Sequence, residues 1–173
     1  MRRFSVSLLA ISFFIATLCS CETLTPIKPV CYFTADALIV SGDITYDAVV
    51  TSAQGQNIVI ELTSPDTLKG VTYTHANDTL YIEYDGLKCT TNADYLPSRS
   101  PVQIVIDTLL SLSYTEPEFV QTDGNLNIYT GTSQNGKFTL YTDSSTGFIK
   151  RIKPSYTDRE ISFEEIKDTT KPT

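Results

Sequence analysis

The stretch NIVIELTSPDTLKGVTYTHANDTLYIEYDGL, residues 57–87, decides how the chain is read. Ile58, Ile60 and Leu62 alternate with Val59 and Glu61, a period of two that lays an aliphatic row on one face of a strand. Ser64-Pro65-Asp66-Thr67-Leu68-Lys69-Gly70 then breaks the alternation. Ser64 can cap, Pro65 suits the first position of a short helical turn and Gly70 can end it, so this segment is a corner. Val71–His75 and Thr79–Tyr84 follow as a hairpin about Asn77-Asp78, with Leu80, Ile82 and Tyr84 on one face. The stretch reads as the centre of a curved antiparallel sheet whose pattern the rest of the chain repeats in weaker form.

Upstream, CYFTADALIV (31–40) puts Phe33, Ala35, Ala37 and Ile39 on one face, and Ser41-Gly42-Asp43 turns the chain into ITYDAVVTS (44–52). Downstream of Asp85-Gly86 comes a more polar run, LKCTTNA. One helix is expected at about 101–113. Ser100 with Gln103 fits a capping box, Pro101 takes the first helical position, and Val102, Val105, Ile106, Leu109 and Leu112 share a face. Ile104 lies on the opposite side and Leu110 on a flank, so the helix is expected to be covered on more than one side. From Phe119 the strand pattern returns as FVQTD, LNIYTGTS, KFTLYTD, FIKRIK and EISFEEI, punctuated at Gly124-Asn125, Asn135-Gly136 and Ser145-Thr146-Gly147. The fold class is α+β, mainly β: a curved antiparallel meander of about ten or eleven strands, a half-barrel, with the helix over its concave side.

The first twenty residues stand outside the fold. Arg2 and Arg3 precede an uncharged apolar run, Phe4 to Leu18, which marks a secretory signal. That run is too short for a membrane-spanning helix, which needs roughly 20 residues. Leu18-Cys19-Ser20-Cys21 reads as a bacterial lipobox, with Cys21 as the lipid attachment residue. In an ordinary cleaved signal Cys21 would be incidental, but the double arginine, the apolar run and the Leu-x-Ser-Cys ending coincide. Residues 21–30, with Pro26 and Pro29, then form an extended tether, residues 31–167 a single domain, and residues 168–173 a frayed tail.

Removing 20 of the 173 residues leaves 153, enough for one domain with a sizeable core. All 20 Asp and Glu remain, against 11 Lys and Arg once Arg2 and Arg3 are gone, so the formal charge is −9. An acidic surface excludes nucleic acid and direct adsorption to anionic headgroups as expected partners. The tether holds the protein at the membrane, on its extracytoplasmic side: the bacterial cell membrane, or the outer membrane of a source that has one. Of the four cysteines, only Cys31 and Cys89 remain to pair with each other. An exported protein can keep a disulfide, but both also sit beside strand runs where a free thiol packs as a small hydrophobe.

No constellation for catalysis is found. His75 is the single histidine and, next to a turn, is expected at the surface. With one histidine there is neither a metalloprotease His-Glu-x-x-His motif nor a Ser-His-Asp set. No glycine loop cradles phosphate, and the cysteine spacing offers no zinc cluster. Asp143-Ser144-Ser145-Thr146-Gly147 resembles a calcium loop, but its glycine is one position early and the distal glutamate is missing, so a hairpin turn is the better reading. No enzyme activity, metal or cofactor is expected.

Ten tyrosines and eight phenylalanines without tryptophan either fill the sheet or line a concave face for an apolar ligand. For the second reading Val59, Tyr73, Tyr81 and Tyr141 are the candidate lining residues.

The order of hairpins, the Ser64-Pro65-x-x-Leu68-x-Gly70 corner, the Tyr84-Asp85-Gly86-Leu87 hairpin end, the single helix and the Gly-punctuated strands together resemble the LolA/LolB-like superfamily of exported bacterial proteins, over roughly Cys31 to Ile166. The resemblance implies an unclosed barrel whose concave face is partly covered by helix. Some such proteins carry acyl chains or lipoproteins; others sense or dock envelope proteins, and similar clostridial lipoproteins act in spore envelopes by binding an amidase. This chain departs from the soluble carriers in being lipidated and in lacking a helix before the first strand, and both departures count against shuttling. No family site residue can be matched here. The expected function is a membrane-tethered, non-catalytic lipoprotein holding a lipid acyl chain or other apolar ligand. The alternative is an envelope protein-docking module that recruits or regulates a cell-wall or spore-cortex enzyme.

Overall fold

The computed structural model describes residues 25–53, 56–92, 96–97 and 99–169. The signal segment, Cys19, Cys21 and the last four residues lie outside them. Eleven strands form one sheet: β1 (Phe33–Ser41), β2 (Ile44–Ala53), β3 (Asn57–Ser64), β4 (Thr72–Ala76), β5 (Thr79–Tyr84), β6 (Leu87–Asn92), β7 (Glu118–Asp123), β8 (Leu126–Ser133), β9 (Gly136–Asp143), β10 (Ile149–Pro154) and β11 (Glu160–Asp168). Among the described residues one helix, α1 (Pro101–Tyr114), separates β6 from β7.

Every strand pairs antiparallel with its neighbours, in the order β6-β5-β4-β3-β2-β1-β11-β10-β9-β8-β7. Two meanders are thus fused where the first strand meets the last. The middle strand is β1, so the stretch 57–87 is one wing of the sheet, ending at the free edge β6, and not its centre. Its hairpins are local, but the β1–β11 pairing that fuses the wings joins residues over a hundred positions apart, which no local pattern encodes. Because β6 and β7 do not pair, the sheet stays open as a half-barrel, and α1 lies on the connection between the two free edges.

Alternation decides the inner face. Phe33, Ala35, Ala37 and Ile39 of β1, Ile58, Ile60 and Leu62 of β3, Phe138 and Leu140 of β9, and Ile161 and Phe163 of β11 are all buried in one core. Phe33 and Phe163 meet edge to face with centroids 5.5 Å apart. Into this concave surface packs α1, against β8 and β3. Its residues Val102 to Leu109 are buried without a break, so the helix is enclosed on every side through two turns, as Ile104 foretold. Each of its large apolar side chains contributes roughly 1.5–3 kcal/mol by leaving water. The expected capping is half formed: the Gln103 amide N–H donates to Ser100 Oγ at 3.2 Å, but the Gln103 side chain turns inward instead of returning to Ser100. The Ser100 N–H donates to the Pro97 carbonyl instead, at 2.7 Å.

Four local expectations are corrected. The 64–70 corner is a pair of successive turns after a cis Ser64-Pro65 bond, not a helical turn. It is held back onto β3 by Gly70 N–H donating to Leu62 O and Leu62 N–H donating to Val71 O, at 2.8 and 2.9 Å. The loop between β8 and β9 is Gln134-Asn135, one residue earlier than expected, since Ser133 pairs with Gly136. Asp168, in the expected frayed tail, pairs with Phe33. Finally, the second half of the expected tether is docked: Val30 bridges Phe148, its N–H donates to Gly147 O at 2.9 Å, and Tyr129 Oη donates to the Ile27 carbonyl at 2.7 Å. Prolines 26 and 29 extend the chain, and an extended chain finds backbone partners along a sheet end as readily as it spans solvent.

Candidate functional site

Two concavities lie beside α1. The first is apolar, about 210 Å³, between the corner, β1–β4 and the start of the helix. Tyr46, Leu62, Leu68, Tyr73, Leu96 and Val102 line it. Tyr73 reaches it because it pairs with Ile60 and so shares the inner face. Burial, with the neighbouring Tyr46 adding to it, holds the Tyr73 phenol above its ordinary pKa, as a dry pocket does.

Of the four expected lining residues only Tyr73 is on this side. Val59, Thr74 and Tyr81 form one cross-strand row, one residue out of phase with Ile58, His75 and Leu80, and so lie on the convex face. Tyr141 is out of phase with Phe138 and Leu140 in the same way. Both tyrosines are covered by surface cations: Lys88 Nζ lies 5.0 Å from the Tyr81 ring, and the Arg151 guanidinium 5.2 Å from the Tyr141 ring. The parity that buries Ile58 sends Val59 outward, so these three positions are excluded from a concave lining.

The second concavity is polar, about 430 Å³, in the opening of the half-barrel between the β4–β6 wing, one face of α1 and the Gln134 turn. Its walls include His75, Asn92, Gln103, Asp107, Tyr114 and Gln134. His75, expected at the surface, is only 3% exposed, because its pairing with Ile58 and Leu80 points it inward. Gln103 and Asp107, at 4% and 5%, stand one helical turn apart, and Gln103 Nε2 donates to Asp107 Oδ1 at 2.6 Å. Asn135 Nδ2 donates to the other Asp107 oxygen. Two buried atoms of this group, His75 Nδ1 and Gln103 Oε1, make no hydrogen bond among the described residues. An orphaned buried polar atom costs about 1–3 kcal/mol, so their neighbourhood is an expensive one to leave without partners. Sequence reasoning assigned His75 to the surface and Gln103 to the helix cap, and passed over Asp107. The signals were present: His75 shares strand parity with Tyr73, and a Gln and an Asp spaced i, i+4 stand among the apolar residues of the first turns of the helix.

The remaining candidates are accounted for separately. Cys31 and Cys89 are free thiols, five strands apart across the sheet, roughly 24 Å at about 4.8 Å per strand, so they do not form the bridge the sequence left open. Burial pushes the Cys31 thiol up to about 11. Asp143 Oδ1 accepts from the hydroxyls and backbone N–H groups of Ser145 and Thr146, at 2.6 to 3.0 Å. These bonds, the Ser145 hydroxyl foremost, hold the carboxyl down at about 2, and the loop is a turn closed on itself. Among the described residues no group of three or more His, Cys, Asp or Glu side chains is placed to hold a metal, and no helix is long and apolar enough to cross a membrane.

What these features define is a class of fold: an open antiparallel half-barrel around a helix. Among solved structures, an uncharacterized conserved protein from Thermus thermophilus is similar at a TM-score of 0.51 and 13% identity, over 81% of this chain and 80% of that one. A LolA superfamily protein from Nitrosomonas europaea is similar at 0.44 and 11%, over 81% and 87% of the two chains. LprF from Mycobacterium bovis is similar at 0.37 and 16%, over 78% and 85%. At 13% identity the likeness to the Thermus protein is one of fold alone. No protein-family model matches the chain, and no curated protein matches it.

Proposed function

We propose that this is a membrane-tethered, non-catalytic binding lipoprotein, anchored through Cys21 on the extracytoplasmic side, whose half-barrel takes an acyl chain end or a comparable apolar group. The observation that supports this reading is the apolar pocket under Tyr46, Leu68 and Tyr73. It is smaller than the roughly 300–1,000 Å³ of common ligand cavities, because α1 fills most of the concavity. The ligand is therefore the end of a chain and not a whole lipid. Native mass spectrometry of the protein released from its own membrane should show a lipid-sized adduct that Leu68→Glu abolishes while the circular dichroism is retained; bare protein throughout would overturn the proposal. Radiolabelled palmitate should label the wild type and not Cys21→Ala, and equal labelling would remove the anchor.

A second reading, protein docking, draws support from the free edge β7. All six residues from Glu118 to Asp123 are exposed, and Phe119 and Val120 are 39% and 53% accessible. An edge strand of that kind, paired only with β8, can add a partner's strand on its outer side. Affinity capture yielding a stoichiometric envelope protein, with no lipid on the bait, would favour it over the first.

A further inference from the structure

We propose that the polar cleft in the opening of the half-barrel is a binding site for a small organic cation, a primary ammonium or a guanidinium carried on a short apolar stem. The site is distinct from the apolar pocket and shares no lining residue with it. Its volume, about 430 Å³, lies within the range of cavities that enclose small ligands.

Charge sets the sign of the ligand. Asp78 and Asp107 both line the cleft, and among the described residues no lysine or arginine lines it. Hydrogen-bonding capacity sets its chemistry. Gln103 commits its amide N–H to Asp107, which leaves its carbonyl Oε1, an acceptor that is buried and unpartnered among the described residues. His75 Nδ1 is unpartnered likewise and accepts when the ring proton sits on Nε2. An ammonium carries three donors and no acceptor, and a guanidinium five, so either complements these two orphan acceptors and the two carboxylates beside them. Leu110 and Tyr114, on the helix side of the cleft, offer an apolar flank for a stem.

His75 is the only histidine in the chain, so its imidazole C–H resonances report on this cleft alone. The full chain in detergent micelles is titrated with phenethylamine, hydrocinnamate and phenethyl alcohol, three ligands on one phenethyl stem whose heads are cationic, anionic and neutral. Phenethylamine is expected to shift the His75 signals saturably, and Asp78→Asn to weaken that binding by about threefold or more. Asp78 is exposed in the β4–β5 turn at φ 59°, a conformation asparagine also tolerates, so the variant keeps its fold. Gln103→Leu, which removes the orphan acceptor, is expected to abolish the shift. No saturable shift with phenethylamine, an equal shift with the anion or the alcohol, or an Asp78→Asn variant that binds as tightly as the wild type would each overturn the assignment.

Discussion

Replacing Gly147 by alanine tests whether the segment before β1 is part of the folded domain. Gly147 sits at φ +77°, where a side chain costs about 1–2 kcal/mol in backbone strain. A Cβ there would also stand 2.5 Å from the Lys28 carbonyl oxygen and 2.9 Å from Ile27 Cγ2, closer than atoms approach, so residues 27–30 must lift away. Lifting breaks the hydrogen bonds from Val30 to Gly147 and from Tyr129 to Ile27, worth about 1 kcal/mol each. The ion pair of Lys28 with Glu116 is well exposed and adds little. The whole effect is about 3 kcal/mol. Gly124→Ala is the internal control, because Gly124 has φ +59° but nothing within 4 Å of its added Cβ, so it carries the strain alone. In urea unfolding of the full chain in detergent, Gly147→Ala should lose about 2 kcal/mol more than Gly124→Ala. Tyr129→Phe should cost about 1 kcal/mol in the wild type and almost nothing on top of Gly147→Ala. Equal losses for the two glycines, or a full Tyr129→Phe effect in both backgrounds, would mean that residues 27–30 are a free tether after all.

Three further outcomes are expected. Thiol labelling near pH 8, read by mass spectrometry, should modify exposed Cys89 quickly and Cys31 slowly, since a thiol at about 11 is only about one part in a thousand thiolate there; equal rates would contradict the burial of Cys31. Asp143 titrates lower in the folded state than its ordinary 3.8, so its stabilisation is present above about pH 4 and fades as pH falls toward about 2. The melting temperature of Asp143→Ala should therefore lie below wild type near neutrality and approach it in acid, and a gap independent of pH would refute the turn-cap role. Ile104→Ala should destabilise by about 2–5 kcal/mol in urea, because Ile104 is fully buried on the side of α1 away from its main apolar stripe; a loss under about 0.5 kcal/mol would mean that this side of the helix is not enclosed.

The sequence by itself determined the parts. Period-two alternation and turn residues placed about ten or eleven strands, Ser100 and Pro101 placed the start of the helix, and Asn77-Asp78, at φ of 50° and 59° in the structure, placed a hairpin turn, because each depends on residues within a few positions of one another. Alternation also separates the two faces of a strand, and applied strictly it would have sent Val59, Tyr81 and Tyr141 outward with no structure at all. What only the tertiary structure decided is which strand is central, how much of the concavity the helix fills, and where buried polar groups collect. Pairing β1 with β11 closes the longest loop in the chain, and its stability comes from a register set by both wings together. His75 illustrates the difference. Beside a turn it looks like a surface residue, and its burial follows from an enclosure that the β4–β6 wing, α1 and the Gln134 turn complete only once the chain is folded.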